Sequence, residues 1–384
     1  MTVSRLKDIP GIGVNEVGDR ADALRDPEML RMENLDTDLA PPEIARTVTR
    51  EAVGTDAANS YLPFEGHRSL RTAAAAHVSR IAGVEYDPGT QCVSVAGGLN
   101  GVLNALLATV EPGREVVIAD PIYAGLVNRI RLAGGVPRHV PARPTAGGWR
   151  TDPAEFAAAV GPDTAAVLLM GPAMPTGALV EPELLDALAE PVVRHGAWVI
   201  YDAAMERIRF DGRDPVHPAR HPALADRTIT VGSASKELRM IGWRVGWVTG
   251  PRAIMADIAL VGMANVVCQV GIAQEAVAAA LTAPEDVSWA TGVWRERSAA
   301  IVAALDGYPV VRPDGGWSLL IDVAELGCTA SDAAARLFER GRVAATPMTG
   351  WGPQGDRYVR LVFANEPVSR LGDLRARFDA ALAD

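Results

Sequence analysis

Hydrophobic residues form short, uninterrupted runs between about residues 90 and 250. Each run is apolar throughout rather than alternating with polar residues, as expected for strands that are buried on both faces of a sheet. Helical patterns at 98–109, 122–133 and 181–195 separate several of these runs. This alternation predicts an α/β fold with a mostly parallel sheet flanked by helices. The predicted strands are 91–96, 115–120, 165–170, 197–203, 227–233 and 245–250.

The two ends of the chain have a different pattern. Residues 1–44 are polar and rich in turn-forming residues. After about residue 285, strand-like runs at 308–312 and 317–323 precede an alanine-rich helix and a last apolar run at 358–364. We therefore expect a large domain at 45–285 and a smaller α+β domain built from 1–44 together with 286–384.

Residues 258–274 carry no charge and approach the length of a membrane span. Asp257 and Glu275 flank the stretch, and Asn265, Gln269 and Gln274 interrupt it. The pattern predicts a buried helix at a domain or subunit interface rather than a membrane span.

The composition is typical of a soluble globular protein, with 48% hydrophobic and 22% charged residues among 384. A net charge of −10 does not favour binding to nucleic acid or to a membrane surface. The first residues lack a signal-peptide pattern. Cys92, Cys268 and Cys328 are widely spaced, which indicates free thiols and a cytoplasmic location. The six histidines are scattered, so we expect no metal site.

The chain contains only two lysines, Lys7 and Lys236, whereas the other 35 basic residues are arginine. Lys236 follows the predicted strand 227–233, at the edge where open α/β sheets bind ligands. The small residues Ser233 and Ser235 would let a flat ligand approach closely, and Arg244 could bind a phosphate group. This segment alone is equally compatible with a lysine that caps a loop.

Two further segments could contribute to a ligand site. The glycine turn at Gly97, Gly98 and Leu99 lies between a predicted strand and a helix, where backbone N–H groups can bind an anion. The turn alone also leaves a dinucleotide site open. Asp202 ends an apolar strand, so its carboxylate requires a cationic partner unless it caps the following turn.

Two more residues are candidates because of where they occur. Tyr123 follows the predicted strand 115–120 and could stack on an aromatic ring. Arg360 is a cation within an apolar run, which is unusual unless it binds a carboxylate or lines a cleft.

Together these segments resemble the fold-type I enzymes that use pyridoxal 5′-phosphate (PLP), specifically the class I/II, aspartate aminotransferase-like family. The resemblance extends from about Asp36 to Arg360, and its most specific motif is S-x-S-K-x-x-x-x-x-G-W-R-x-G-W at 233–247. It implies an aminotransferase that acts on an L-α-amino acid through external aldimine and quinonoid intermediates.

The resemblance also implies a role for each candidate residue. Lys236 would form the Schiff base, Asp202 would pair with the pyridine nitrogen, and Tyr123 would stack on the ring. Arg360 would bind the substrate carboxylate. Tyr61, in the segment 60–66, would reach the phosphate in the neighbouring subunit of a homodimer. The remaining implied cofactor-binding residues, mostly around the phosphate, are Gly97, Gly98, Leu99, Ser233, Ser235 and Arg244.

The sequence departs from the family pattern at two positions that face the cofactor. The motif N-P-x-N-P-T-G becomes GPAMPTG, which places Met174 where the family has asparagine, and D-x-x-Y ends in Met205 instead of tyrosine. The family residues donate hydrogen bonds to the phenolic oxygen O3′ of the cofactor, and methionine cannot donate one. We therefore expect a raised pKa of the internal aldimine.

These departures keep a second enzymatic function open. The same quinonoid could serve γ-elimination, γ-replacement or carbon–carbon bond formation, for example on S-adenosylmethionine. A non-catalytic binding domain would be marked by loss of the lysine or of the phosphate arginine, and a nicotinamide dehydrogenase would need a G-x-G-x-x-G turn. His67, Arg239 and Trp351 are candidates for the side-chain pocket. The family's G-x-P-D segment is replaced by residues 34–37.

Overall fold

The computed structural model describes residues 4–7, 9, 14–283 and 285–382. The expected domains also include residues 1–3, 8, 10–13, 284, 383 and 384, which lie outside the described residues. The strands are β1 (Leu30–Arg31), β2 (Cys92–Val95), β3 (Glu115–Asp120), β4 (Val136–Thr145), β5 (Gly148–Thr151), β6 (Thr164–Met170), β7 (Trp198–Asp202), β8 (Thr228–Ser233), β9 (Gly246–Thr249), β10 (Val310–Val311), β11 (Ser318–Asp322), β12 (Val343–Ala344), β13 (Thr346–Pro347) and β14 (Tyr358–Val362).

The helices lie between these strands and at both ends of the described chain. They are α1 (Ser4–Lys7), α2 (Val14–Leu24), α3 (Glu43–Val53), α4 (Asp56–Asn59), α5 (Arg68–Ala82), α6 (Gly98–Thr109), α7 (Ala124–Leu132), α8 (Pro153–Ala158), α9 (Pro182–His195), α10 (Arg252–Asn265), α11 (Gly271–Leu281), α12 (Glu285–Ala304), α13 (Ala330–Glu339) and α14 (Leu374–Leu382).

An eight-stranded sheet has the order β2-β9-β8-β7-β6-β3-β4-β5. The strands β8, β7, β6, β3 and β4 pair in parallel, whereas β9 is antiparallel to both of its neighbours. The prediction of an α/β fold with a mostly parallel sheet is thus confirmed. All six predicted strands are present, and β3 and α6 have the predicted bounds.

Helices cover both faces of this sheet, because its strands are apolar on both sides. On one face Val102 and Leu106 of α6 and Ile258 of α10 pack against the strands. On the other face Phe156 of α8 and Leu188 of α9 do the same. All six residues of β8 are buried. The continuous apolar runs in the sequence therefore reflect burial from two sides.

The hairpin β4–β5 extends the sheet although the apolar pattern does not predict it. β4 alternates between exposed and less exposed positions and includes Pro137, Pro141 and Pro144. Proline lacks a backbone donor, and it is tolerated near a sheet edge. A run without continuous apolar residues gives no signal for a doubly buried strand.

A second sheet of four antiparallel strands, β10-β11-β14-β13, packs against the C-terminal helices. Trp294 of α12, Leu337 of α13 and Phe378 of α14 are buried in its core. The short strand β1 pairs in parallel with β12, so residues from near both ends of the chain meet in this part of the molecule. Arg360 lies on β14, inside this core.

The prediction of a single helix at 258–274 is wrong, whereas burial of this stretch at a subunit interface stays a prediction. The chain instead forms α10 and α11, which are separated at 266–270, where Val267 has a left-handed backbone with φ of 72°. Leu260, Met263 and Val270 are exposed rather than buried in this chain. In the described part of the chain, no helix is long and apolar enough to cross a membrane.

Candidate active site

A cavity of about 310 Å³ lies at the carboxyl ends of β6, β7 and β8, beside the first turn of α6. Nearly every residue that the sequence nominates for the cofactor lies on its wall. The residues that line it are Leu35, Gly98, Leu99, Tyr123, Met170, Met174, Asp202, Ala204, Met205, Ser233, Ser235, Lys236, Ile241, Arg244 and Arg360.

Lys236 lies three residues after β8, and its Nζ donates a hydrogen bond to the backbone carbonyl of Leu35 at 2.8 Å. The amine also lies 4.8 Å from the ring centroid of Trp317. Burial lowers the pKa of Lys236 to about 7, and the nearby carboxylate of Asp36 opposes this shift. A substantial fraction of the amine is therefore neutral near pH 7, as a nucleophile or general base requires.

Asp202 is the last residue of β7 and is only 3% exposed. Among the described residues, its carboxylate receives a single hydrogen bond, from the Ala204 N–H at 3.1 Å. Burial raises the pKa of Asp202 to about 6. The protein thus provides no direct side-chain cation for this carboxylate within the described chain, and a protonated ring nitrogen would satisfy that need.

The glycine turn and Arg244 form an anion site at one end of the cavity. Gly97 has a φ of 84°, and a Cβ at this position would lie 2.4 Å from Arg244 Nη2, so another residue would be strained here and would displace Arg244. Arg244 Nη1 donates to Ser235 Oγ at 3.3 Å, and the Gly98 N–H donates to Ser233 Oγ at 3.4 Å. A guanidinium group, two hydroxyls and a helix N-terminus can together bind a phosphate.

Arg360 lies at another part of the cavity wall and is 1% exposed. Its Nη2 donates to Thr346 Oγ1 at 3.1 Å and to the carbonyl of Glu33, while Nε has no hydrogen-bond partner among the described residues. The guanidinium lies over the Trp351 ring at 4.8 Å. Burial lowers the pKa of Arg360 to about 10, so it stays cationic at neutral pH and can bind a carboxylate.

Met174 and Met205 form an apolar part of the wall, with exposures of 5% and 3%. Arg360 Nη1 lies 3.4 Å from Met174 Sδ, where the sulfur accepts. Neither methionine carries a donor. The two departures from the family motif thus lie on the same cavity as Asp202.

The two tyrosines nominated by the sequence lie in different surroundings. Tyr123 lies on the cavity wall immediately before α7, and its ring contacts Trp351 edge-on at 5.3 Å. Tyr61 is 86% exposed and is not on the wall of this chain's cavity. A role for Tyr61 in a neighbouring subunit stays a prediction.

Some residues at the site were not identified from the sequence. The Leu35 carbonyl and Trp317 contact Lys236. Arg129 Nε donates to the Leu99 carbonyl at 2.8 Å, and its Nη1 donates to the Gly125 carbonyl at 2.8 Å. Arg129 thereby ties α7 to the first turn of α6. In the sequence, Arg129 can be noticed only as a cation within a helix whose other residues are mostly buried.

The three residues suggested for a side-chain pocket lie at different distances from the cavity. Trp351 contacts both Tyr123 and Arg360. His67 lies near Glu275, and Arg239 donates to the carbonyl of Ala40. None of the three lines the cavity itself, but Trp351 packs against two residues that do. No group of three or more potential metal ligands occurs in the described ranges.

The donor set fits PLP. The cofactor has an aldehyde that needs an amine, a pyridine nitrogen that needs an acid, and a phosphate that needs cations and backbone amides. Lys236, Asp202 and the Arg244 site supply these groups on one cavity. The fold and the site therefore define a PLP enzyme of fold type I.

The chain belongs to the aminotransferase class I and II family, whose model matches residues 31–378. It is 32% identical over 314 residues to the arginine–pyruvate transaminase AruH of Pseudomonas aeruginosa, covering 80% of this chain and 79% of the relative. It is also 32% identical over 333 residues to the aspartate/prephenate aminotransferase of Thermus thermophilus, covering 85% and 84%. PLP is the cofactor of this family.

Solved structures agree with this assignment. The N-succinyldiaminopimelate aminotransferase of Mycobacterium tuberculosis superimposes with a TM-score of 0.92 at 30% identity, covering 100% of both chains. The aspartate aminotransferase of Thermus thermophilus with maleate gives 0.91 at 28% identity, also over 100% of both chains. The names of these relatives differ in substrate, so family membership alone leaves the substrate open.

Proposed function

We propose that this chain is an aminotransferase that moves the amino group of an L-α-amino acid to a keto acid. The observation that carries the proposal is the convergence of Lys236, Asp202 and Arg360 on one cavity, which Arg244, Ser233 and Ser235 also line. When bound, PLP supplies an electrophilic carbon and a ring that accepts electron density from the substrate Cα. The residues of the chain supply binding, orientation and proton transfer.

Lys236 holds the cofactor and is then the base for the Cα proton. Its pKa of about 7 suits proton transfer in both directions near neutral pH. Asp202 keeps a proton on the ring nitrogen, because its buried carboxylate has no direct side-chain cation partner among the described residues. The apolar surroundings of Asp202 strengthen its electrostatic attraction to the protonated ring nitrogen.

Arg360 binds the substrate α-carboxylate through its planar guanidinium. Its Nη2 is already fixed by Thr346 and the Glu33 carbonyl, so little side-chain entropy is lost on binding. Arg244, Ser233, Ser235 and the amides near Gly98 hold the phosphate. Trp317 and Trp351, both buried, keep water away from Lys236 and Arg360.

A half-reaction tests this proposal. Holoenzyme mixed with an amino acid, without keto acid, should lose the visible absorption of the PLP form and gain the pyridoxamine form. Adding a keto acid should restore the first spectrum. Lys236→Ala is the control and should not convert. Failure of a broad panel of amino acids to produce the pyridoxamine form would contradict the proposal.

A second candidate function rests on Met174 and Met205. Their side chains line the cavity, and the family pattern has donors to O3′ at these two positions, so we expect the ring to be tuned differently. This favours diversion of the same substrate carbanion to γ-elimination, γ-replacement or carbon–carbon bond formation. Release of methylthioadenosine from S-adenosylmethionine, without pyridoxamine formation, would favour this candidate over amino transfer.

We also propose that the active protein is a homodimer in which Tyr61 reaches the partner's phosphate site. Tyr61 and Phe64 are exposed, as are Leu260, Val267 and Val270. Gly271 packs closely on the Ala58 carbonyl, so the two exposed segments are neighbours. Sedimentation at micromolar concentration should give a dimer, and a purely monomeric active enzyme would contradict this arrangement.

A further inference from the structure

A second cavity, of about 500 Å³, shares no lining residue with the PLP cavity and is rich in positive charge. Asp214 is its single carboxylate residue among the described residues that line it. The whole chain has a net charge of −10, so the charge of this cavity is opposite to that of the protein. Its arginines are Arg80, Arg207, Arg209, Arg213, Arg220 and Arg295.

Three of these arginines are held in place by carboxylates. Arg207 Nε lies 2.6 Å from Glu237 Oε2, and Glu237 also accepts the Arg207 backbone N–H at 2.7 Å. Arg209 and Arg213 both pair with Asp211, at 2.8 and 2.6 Å. Arg213 also pairs with Glu181, at 2.9 Å. With this third carboxylate, the pairs fix one wall of the cavity and neutralise the arginines that form it.

The other three arginines, Arg80, Arg220 and Arg295, form no ion pair within the described parts of the chain. Arg80 Nη2 lies 3.2 Å from His77 Nδ1, and Arg220 Nε donates to the carbonyl of Ile81 at 2.7 Å. Each contact uses one part of the guanidinium and leaves other N–H groups available. The three side chains come from α5, from the segment before β8, and from α12.

We propose that this cavity binds a small molecule that carries phosphate groups. Guanidinium forks match phosphate oxygens in geometry, and arginine stays charged at any physiological pH. The cavity volume falls within the range of small-molecule sites, about 300–1,000 Å³. Glu237, which fixes Arg207, directly follows Lys236, so the ligand would bind close behind the segment that carries the PLP lysine.

Titration calorimetry with inorganic pyrophosphate tests this site. The holoenzyme is used, so that PLP already fills the phosphate end of its own cavity. Pyrophosphate should bind saturably, with one site per chain. The variant R80Q/R220Q/R295Q should weaken binding by about tenfold or more, since it removes three charge-assisted contacts.

The matched control is R20Q/R50Q/R194Q, which removes the same charge at three arginines that are each more than half exposed elsewhere. The affinity of this control variant for pyrophosphate should stay within about twofold of that of the wild type. Should the first triple variant fail to fold, R295Q alone should still weaken binding by about threefold.

Several results would overturn the proposal. These are an absence of saturable binding to wild type, an equal loss in both triple variants, or tighter binding of citrate than of pyrophosphate. A change in the visible PLP spectrum during titration would locate pyrophosphate at the cofactor phosphate site instead, and would also overturn it.

Discussion

The two ends of the PLP cavity are built in opposite ways. The phosphate end is polar and depends on backbone geometry, because Gly97 adopts a φ of 84° and Arg244 lies where a Cβ would be. The ring end places the buried Asp202 carboxylate on a wall shared with Met174 and Met205. The first end has the residues that the family motif implies for anchoring the cofactor, whereas at the second end Met174 and Met205 stand where the motif has hydrogen-bond donors. We therefore expect that substitutions can change the binding of the cofactor and its electronic tuning separately.

Removing the charge at the ring end should have the largest effect on turnover. Asp202→Ala leaves the ring nitrogen without an acid, so we expect kcat to fall by about 10²-fold or more. Asp202→Glu keeps the charge and should recover part of the activity. Both variants are assayed at saturating PLP. An Asp202→Ala enzyme with wild-type kcat would show that this carboxylate does not act on the cofactor.

Arg360 should affect substrate binding more than turnover. Arg360→Gln removes a charge-assisted pair with the α-carboxylate, so KM should rise by about 10- to 100-fold. Arg360→Lys keeps the charge but loses the planar fork, and should give an intermediate KM. Thermal melting controls for the loss of contacts with Thr346 and Glu33. An unchanged KM would exclude Arg360 as the carboxylate site.

Restoring the hydrogen-bond donors at residues 174 and 205 should make the ring end, like the phosphate end, follow the family motif. In M174N/M205Y, the pKa of the Lys236–PLP imine, read from visible absorption against pH, should fall by about one unit. With the lower pKa, the imine loses its proton at a lower pH. The absorption band of the protonated imine should therefore disappear at a lower pH in the variant than in the wild type. M174L/M205L adds no donor, so its pKa should match wild type. Equal pKa values in all three proteins would contradict the tuning role of the methionines.

The smallest effect is expected at the phosphate end. Arg129→Gln loses the bonds that tie the Leu99 and Gly125 carbonyls together, which should weaken PLP binding by about fivefold. Arg138→Gln removes an exposed arginine on β4 and is the matched control. The PLP dissociation constant is measured by fluorescence of the apoenzyme. If Arg138→Gln weakened PLP binding more than Arg129→Gln does, a positioning role for Arg129 would be excluded.

Much of the fold could be predicted, because doubly buried strands leave continuous apolar runs and glycine turns mark helix starts. β3 and α6 are the clearest cases. β4 could not be predicted, since its prolines and alternating exposure hide it. The stretch 258–274 was misassigned because lack of charge indicates an apolar surface but not whether the same chain covers it.

Some residues of the site could likewise be predicted from the sequence, and others could not. Lys236 and Asp202 could be identified because each combines a strand end with a residue type that is costly to bury or rare in this chain, and Arg244 because it shares the motif at 233–247 with Lys236. The Leu35 carbonyl could not, because a backbone acceptor 201 residues away from Lys236 has no side-chain signature. Trp317 and Arg129 likewise contribute through packing and through contacts with distant backbone, which only the folded chain reveals.

Borohydride reduction of the holoenzyme, followed by peptide mapping, shows directly which residue carries the cofactor. Reduction should abolish the visible absorption band and leave the phosphopyridoxyl label on Lys236, one of only two lysines in the chain. A label on Lys7, or no stable label, would show that Lys236 does not carry the cofactor.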